Sequence, residues 1–372
     1  MIRLRAEATS PRLGVALVCS LVVMTACSGP SAQAVPTPAG GVTLGATPSL
    51  PGASTPSASP IASATARATA RPTAKPTAKP VTHPVTTRPP APSGPRTILG
   101  GCQVFPSNNP WNQNIANAPV NPMSANYIAA IDATKQFLHP DFGSNPTYGI
   151  PYTVVPASQK LVPITFNAYG SESNPGPYPV PLNAPVESGS DHHVLVLDSG
   201  NCKLYEMYDA QQSGAGWVCT SGAVFNLKSN ALRPDGWTSA DAAGLPILPG
   251  LALYSEVASG AINHALRFTV DATQNGFIHP ATHYASSSSN PDLPPMGLRL
   301  RLNASFSLAG FTGEALVILK ALKTYGMIVA DNGSSWYISG ATDPRWDDNN
   351  LNELKSVPGS AFQVVETGPI LH

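Results

Sequence analysis

The sequence predicts a mainly β fold: an antiparallel, jelly-roll-like sandwich of two sheets carrying two or three peripheral helices. Three observations lead to it. The clearest periodic segments alternate polar and apolar residues, they follow one another without intervening helices, and they are separated by turns rich in Pro and Gly. The alternating segments are Val194 to Leu197, Lys203 to Tyr208, Ala265 to Val270 and Gly297 to Asn303. In the last of these Leu298, Leu300 and Leu302 share one face and Arg299 and Arg301 the other, so each segment reads as a strand with one buried face.

Helical spacing is confined to three places. Ser124 to Phe137 repeats apolar residues at Tyr127, Ile128, Ile131 and Phe137, and Gly313 to Tyr325 carries a stripe of Leu316, Ile318, Leu319 and Leu322. A short helix is expected from Asp348 to Lys355. Asp331-Asn332-Gly333-Ser334 reads as a tight turn between strands, Asn-Gly being the pair that tolerates positive φ. No repeat is present, which argues against propellers and solenoids.

This domain spans residues 97–372, and what precedes it is of a different kind. Residues 1–27 have the three parts of a secretory signal: Arg3, Arg5 and Arg12, an apolar run from Leu13 to Val23, and Met24-Thr25-Ala26 leading into Cys27. The run is too short for a bilayer core that needs roughly 20 residues. The cysteine at the cleavage point resembles a lipobox, which implies lipidation at Cys27 and a membrane partner held through lipid rather than through a spanning helix. Residues 28–96 are nearly all Pro, Thr, Ala, Ser and Gly, a composition that buries too little apolar surface to fold and reads as a disordered tether. Fully extended, it would reach on the order of 200 Å at about 3.1 Å per residue. The expected location is extracytoplasmic, lipid-anchored at the cell surface.

Charge is informative once the chain is divided. The total of 21 basic and 21 acidic residues hides a basic N-terminal segment, and the domain keeps 12 basic against 20 acidic residues, a net charge of about −8. An acidic domain excludes nucleic acid as the expected partner, since phosphates require clustered Lys and Arg. Of the three domain cysteines, Cys102 lies at the ragged start and Cys202 beside a core strand. A disulfide between them would tie down the loose end, leaving Cys219 free and buried.

One stretch, LRPDGWTSADAAGLPILPGLALYSEVASGAINHALRFT from Leu232 to Thr269, stands out with CQVFPSNNPWN, LHPDFG, DHHVLVLD, LYEMYDA, PPMGLRLRL and YGMIVADNGSSWYISG. Together these cover nearly the whole domain, and they resemble an uncharacterised family of secreted bacterial lipoproteins. The resemblance attaches no activity, so function has to come from residue chemistry.

No Gly-x-Ser-x-Gly elbow or phosphate-cradling lysine is present in the domain, so neither a serine hydrolase nor a nucleotide site is expected. No cofactor and no metal is expected either. A cluster of His193, His264 and His283 is conceivable only in three dimensions, because neighbouring strand residues such as His192 and His193 point to opposite faces and Pro280 interrupts the His279-to-His283 spacing.

Carboxylates carry the sharper expectation. Glu206 lies in the aromatic strand LYEMY, on the same face as Leu204 and Tyr208, and burial of such an acid raises its pKa while aromatic rings stack on a pyranose. Asp241 and Glu256 follow Trp237 and Tyr254. The expected catalytic set is Glu206, Asp241 and Glu256 with His193 and His264, and the expected substrate-binding set is Trp237, Tyr208, Arg233, Tyr254 and Trp336. A carboxylate pair would cut a glycosidic bond with a stereochemistry set by a separation of roughly 5.5 Å or about 6.5 to 9.5 Å. Each acid also has a plain structural alternative: Asp241 closing a turn with Thr238 and Ser239, Glu256 pairing with Arg233 or Arg267, Glu206 paired on the sheet. Cleavage or binding of a polysaccharide or cell-wall polymer is thus the expected function, with a non-catalytic glycan-binding, solute-binding or adhesive lipoprotein as the alternative, and a purely structural envelope role after that.

Overall fold

The computed structural model describes residues 97–131 and 136–372. The signal segment with Cys27, the tether and residues 132–135 of the first expected helix lie outside the described residues, and Phe137, its expected end, forms a bridge with Pro358 instead. The strands in chain order are β1 (Ile98–Leu99), β2 (Cys102–Gln103), β3 (His139–Asp141), β4 (Tyr152–Val155), β5 (Ile164–Phe166), β6 (Val194–Asp198), β7 (Lys203–Tyr208) and β8 (Gln211–Ser213). They continue as β9 (Gly216–Cys219), β10 (Ser221–Asn226), β11 (Leu266–Val270), β12 (Arg299–Leu302), β13 (Met327–Asn332), β14 (Tyr337–Ser339) and β15 (Phe362–Val364). Four α-helices are described: α1 (Ser124–Ile131), α2 (Tyr254–Ala258), α3 (Gly313–Thr324) and α4 (Asp348–Leu351). Among the described residues no helix is long and apolar enough to cross a membrane.

The mainly β class with few helices is therefore the observed one. Two larger sheets carry it, of six strands (β15-β12-β13-β11-β14-β3) and four strands (β10-β7-β6-β4), beside a three-stranded sheet (β5-β9-β8) and the β1-β2 hairpin. Pairing is mixed within these sheets: β11 runs parallel to β13, β14 to β3, β4 to β6 and β5 to β9.

The four-stranded sheet has a core on each face. Register places Leu195, Glu206 and Ala223 in one row and Leu197, Leu204 and Phe225 in the next, all toward the larger core. Val194, Val196 and Met207 face a second, smaller core with Trp217 and Cys219 of the three-stranded sheet. This two-sided burial explains why Val194–Asp198 is an almost unbroken apolar run.

β12 corrects the expectation of one buried face. Leu300 and Leu302 are fully buried, and so are Arg299 and Arg301. Their guanidinium groups donate to main-chain carbonyls, of the N-terminal segment at Pro110 and Gln113 for Arg299 and at Ile115 and Ala116 for Arg301, and of Tyr325 at the end of α3 for Arg299. Burial without a carboxylate partner pushes Arg299 down to about 9. A second correction concerns the Asn332-Gly333 turn, which joins β13 to β14 without pairing them, because β11 lies between.

The expected disulfide is present: Cys102 is bonded to Cys202 across 100 residues, and Cys219 is free and buried. Closing a loop of that length removes chain entropy from the unfolded state worth about 4 to 5 kcal/mol. Residues Ile98 to Gln103 are thereby pinned to the start of β7.

Candidate functional site

The segment from Arg233 to Leu248 is the wedge between the two larger sheets, and its polar ties account for most of the expected site residues. Alternation along β6, β7 and β10 puts His193, Tyr208, Ser221 and Glu206 on the face of the four-stranded sheet that this segment covers. Each buried polar group there meets a main-chain partner. His193 Nε2 lies 2.9 Å from Ala240 O, and Ser221 Oγ donates to Ser239 O at 2.6 Å. The Glu206 carboxylate accepts from the amides of Ile247 (3.0 and 2.9 Å) and Leu248 (2.9 Å).

Toward the six-stranded sheet, Arg267 of β11 holds Asp241 with two parallel bonds, Nε to Oδ2 at 3.2 Å and Nη2 to Oδ1 at 3.0 Å, and donates to Ser339 Oγ at 2.6 Å. Gly244 lets the segment turn this tightly. Its φ is +73°, and a Cβ there would sit 2.2 Å from Thr282 Oγ1.

Burial sets the electrostatics of this wedge. Glu206 is pushed up to about 7 by desolvation, with the Ile247 and Leu248 amides opposing and Asp241 reinforcing. His193 has acceptors at both nitrogens, Glu187 Oε2 at 2.6 Å and Ala240 O, and the Glu187 partnership outweighs burial to raise its pKa. His264 is built alike: Ala265 O at 2.7 Å, Glu256 Oε2 at 3.0 Å, and a raised pKa. An imidazole flanked by two acceptors is satisfied only when both nitrogens carry protons.

Two cavities flank the wedge. One, of about 260 Å³, is lined by Tyr169, Asp191, Tyr208, Asp241, His283 and Asp331 among others. Asp331 Oδ2 lies 3.8 Å from Arg267 Nη2, and burial, with Asp241 adding to it, pushes this acid up to about 7. His283 Nδ1 faces Ala242 O at 2.8 Å, while its Nε2 and the Tyr208 hydroxyl have no partner among the described residues. The other cavity, of about 240 Å³, is lined by Arg233 and Trp237. The chain passes from the second cavity to the first between Trp237 and Thr238.

The expected residues are thus only partly gathered. Tyr208 and Asp241 share the first cavity, Arg233 and Trp237 the second, and Glu206 and His193 lie buried behind the wedge, lining neither. Glu256 and His264 form a separate pair joined by the Thr97 hydroxyl at 2.8 Å, so Glu256 pairs with neither Arg233 nor Arg267. Tyr254 packs edge-on to Trp346 beneath Arg345. Trp336 is fully buried between Phe268 and Phe362 and corrects its assignment to a binding surface: the strand ends that carry it point inward.

Asp331, Tyr169 and Asp191 escaped the sequence reading. Asp331 looks like a turn residue, and its neighbours Asp241 and Arg267 are far away in sequence, so no local spacing marks it. Among the described residues, no group of three or more His, Cys, Asp or Glu side chains is placed to hold a metal ion. Compared with protein-family models, curated proteins and solved structures, the chain matches none.

Proposed function

We propose that the domain binds a sugar unit of a polysaccharide or cell-wall polymer in the cavity of Tyr208 and Asp331, outside the cytoplasm, on a chain anchored by lipid at Cys27. The observation that carries this reading is the cavity's inventory: two tyrosine rings, a free phenol, the acids Asp191, Asp241 and Asp331 and a free imidazole nitrogen around a space of about 260 Å³. Rings stack on the apolar face of a pyranose, and the unpaired donors and acceptors meet its hydroxyls.

Glycoside cleavage is the second reading, favoured by Asp331. An acid at about 7 beside Asp241 keeps a proton near neutrality that a leaving sugar oxygen could take. Glu206 and Glu256 fit a structural part better, since their oxygens are engaged by protein donors.

A glycan array probed with the detergent-solubilised full chain tests both readings. Tyr208→Ala is expected to weaken binding on the order of tenfold, the scale of a lost stacking contact combined with a lost hydroxyl bond. Asp331→Asn is expected to abolish any release of reducing ends. Absence of binding to every glycan rejects the proposal, and binding without cleavage rejects the second reading alone.

The anchor is tested separately. A Cys27→Ala chain is expected to leave the membrane fraction or to remain unprocessed, and unchanged fractionation and lipidation would exclude a lipid anchor.

A further inference from the structure

We propose that the cavity beside Arg233 is a second subsite, for a pyranose bearing a carboxylate, so that the polymer engaged by the domain contains an acidic sugar. This names a substrate class for the function proposed above and rests on it.

Arg233 is a cation without a paired anion among the described residues. Arg233 is buried, and its guanidinium donates to three neutral acceptors: Nε to Thr238 O at 2.9 Å, Nη1 to Asn174 Oδ1 at 2.7 Å and Nη2 to Glu172 O at 2.5 Å. Two of its five N–H groups are left over. Among the described residues no carboxylate lies within ion-pair distance of it, and Glu172, whose carboxylate accepts from the Thr238 amide, acts only at longer range together with Glu206. Burial accordingly pulls Arg233 down to about 10.

The remaining polar groups of the cavity are unbalanced in the same direction. The side-chain oxygens of Asn174 and Asn226 are occupied, the first by Arg233 and the Val224 amide, the second by the Lys228 amide, and among the described residues their amide N–H groups have no partner. Ser229 Oγ accepts from the Ala231 amide and retains its own proton to give. Among the described residues no Asp or Glu lines the cavity. Such a surplus of donors around a positive charge calls for a ligand rich in acceptors, and a planar carboxylate matches a guanidinium fork.

The apolar part of the lining points to a sugar and not to a bare anion. Phe225 and Trp237 flank the guanidinium with ring centroids 5.8 and 5.6 Å from Cζ, and Pro234, Pro246 and Pro280 complete the wall. Aromatic and prolyl faces take the C–H face of a pyranose while its carboxylate and hydroxyls meet the donors. A volume of about 240 Å³ suits a single ring. The local sign also opposes the acidic balance of the domain, so the charge here is placed and does not follow from composition.

Calorimetry on the solubilised full chain, with an oligogalacturonide and with its neutral galactose counterpart, tests the proposal. The acidic oligomer is expected to bind on the order of tenfold or more tightly than the neutral one, the scale of a charge-assisted hydrogen bond. Asn226→Asp, at an exposed position, brings an anion to the cavity and is expected to remove that preference. Arg233→Gln should do the same, but Arg233 ties three acceptors and its loss threatens the fold, which makes Asn226→Asp the decisive variant.

Equal binding of acidic and neutral oligomers, or indifference of the acidic one to Asn226→Asp, overturns the subsite. Binding of acetate or sulfate as strong as that of the oligogalacturonide reduces it to an anion site and overturns the sugar assignment. Glycan binding that is lost in Tyr208→Ala, with the acidic oligomer bound no more tightly than the neutral one, overturns this inference while the first cavity's function stands. Absence of all glycan binding ends both.

Discussion

An Arg267→Ala chain is expected to lose about 3 to 5 kcal/mol of folding stability, the scale set by breaking a buried ion pair from one side. Both partners of this pair are out of water: the Arg267 side chain is 5% exposed and that of Asp241 fully buried. Removing the guanidinium strands Asp241 with no cation, deprives Asp331 of the one at 3.8 Å, and leaves Ser339 without its donor. The two carboxylates then repel each other inside the protein. Because Asp241 belongs to the wedge and Arg267 to β11, the loss falls on the seam between the two larger sheets. Urea unfolding of the variant measures it. An Arg267→Met, Asp241→Leu double variant should recover most of the loss, since an apolar pair of similar size needs no compensation. A loss below about 1 kcal/mol for Arg267→Ala would show that the pair is dispensable.

Stability is expected to fall between pH 5 and pH 8, the reverse of the usual behaviour of surface carboxylates. The ordinary carboxyl values of Glu206 and Asp331, 4.5 and 3.8, are pushed up to about 7 in the folded chain. Between those limits the folded chain binds more protons than the unfolded one, so stability is fullest below the unfolded values and drains away as pH rises through 7. At 1.36 kcal/mol per pKa unit this amounts to about 3 kcal/mol for Glu206. His193 and His264, both raised, act in the same sense, because stability from a raised imidazole is lost as pH climbs through its folded value. Glu187 is lowered, so its contribution disappears only as pH falls through its folded value, below 4.5. Thermal melts across this range measure the sum. Glu206→Gln, which keeps one acceptor for the Ile247 amide and carries no charge, should flatten the profile and gain about 2 kcal/mol at pH 8. A melting temperature that rises from pH 5 to pH 8 would contradict these assignments.

The two cavities and the wedge between them suggest how such a domain would meet a polymer. One segment, Arg233 to Ala242, supplies a cation to one cavity and an acid to the other. The carboxylates that first suggested catalysis mostly hold this segment in place, and the groups proposed to meet a ligand are Tyr208, His283 and Asp331 on one side and Arg233, Asn174 and Asn226 on the other. Fixing the wedge through Glu206 and Asp241 keeps both linings rigid, and rigid linings lose less entropy on binding.

Local pattern was enough for the strands β6, β7, β11 and β12, for α3, and for the disulfide that closes the domain's ragged start. Each of these is written in residues that are neighbours in sequence, or, for Cys102 and Cys202, in the scarcity of alternatives. Period-two and helical spacing report which face of an element is apolar, and that information is complete within a few residues. What lies against the other face is decided only by folding. Arg299 and Arg301 look like a solvated face until the carbonyls of Pro110, Gln113, Ile115 and Ala116 arrive to accept their hydrogen bonds. Glu206 looks like a catalytic acid until the amides of Ile247 and Leu248 close over it, and Asp331 looks like a turn until Asp241 and Arg267 come beside it. A polar side chain is functional or structural according to whether the tertiary fold brings it a partner. Those partners come from segments tens to nearly two hundred residues away.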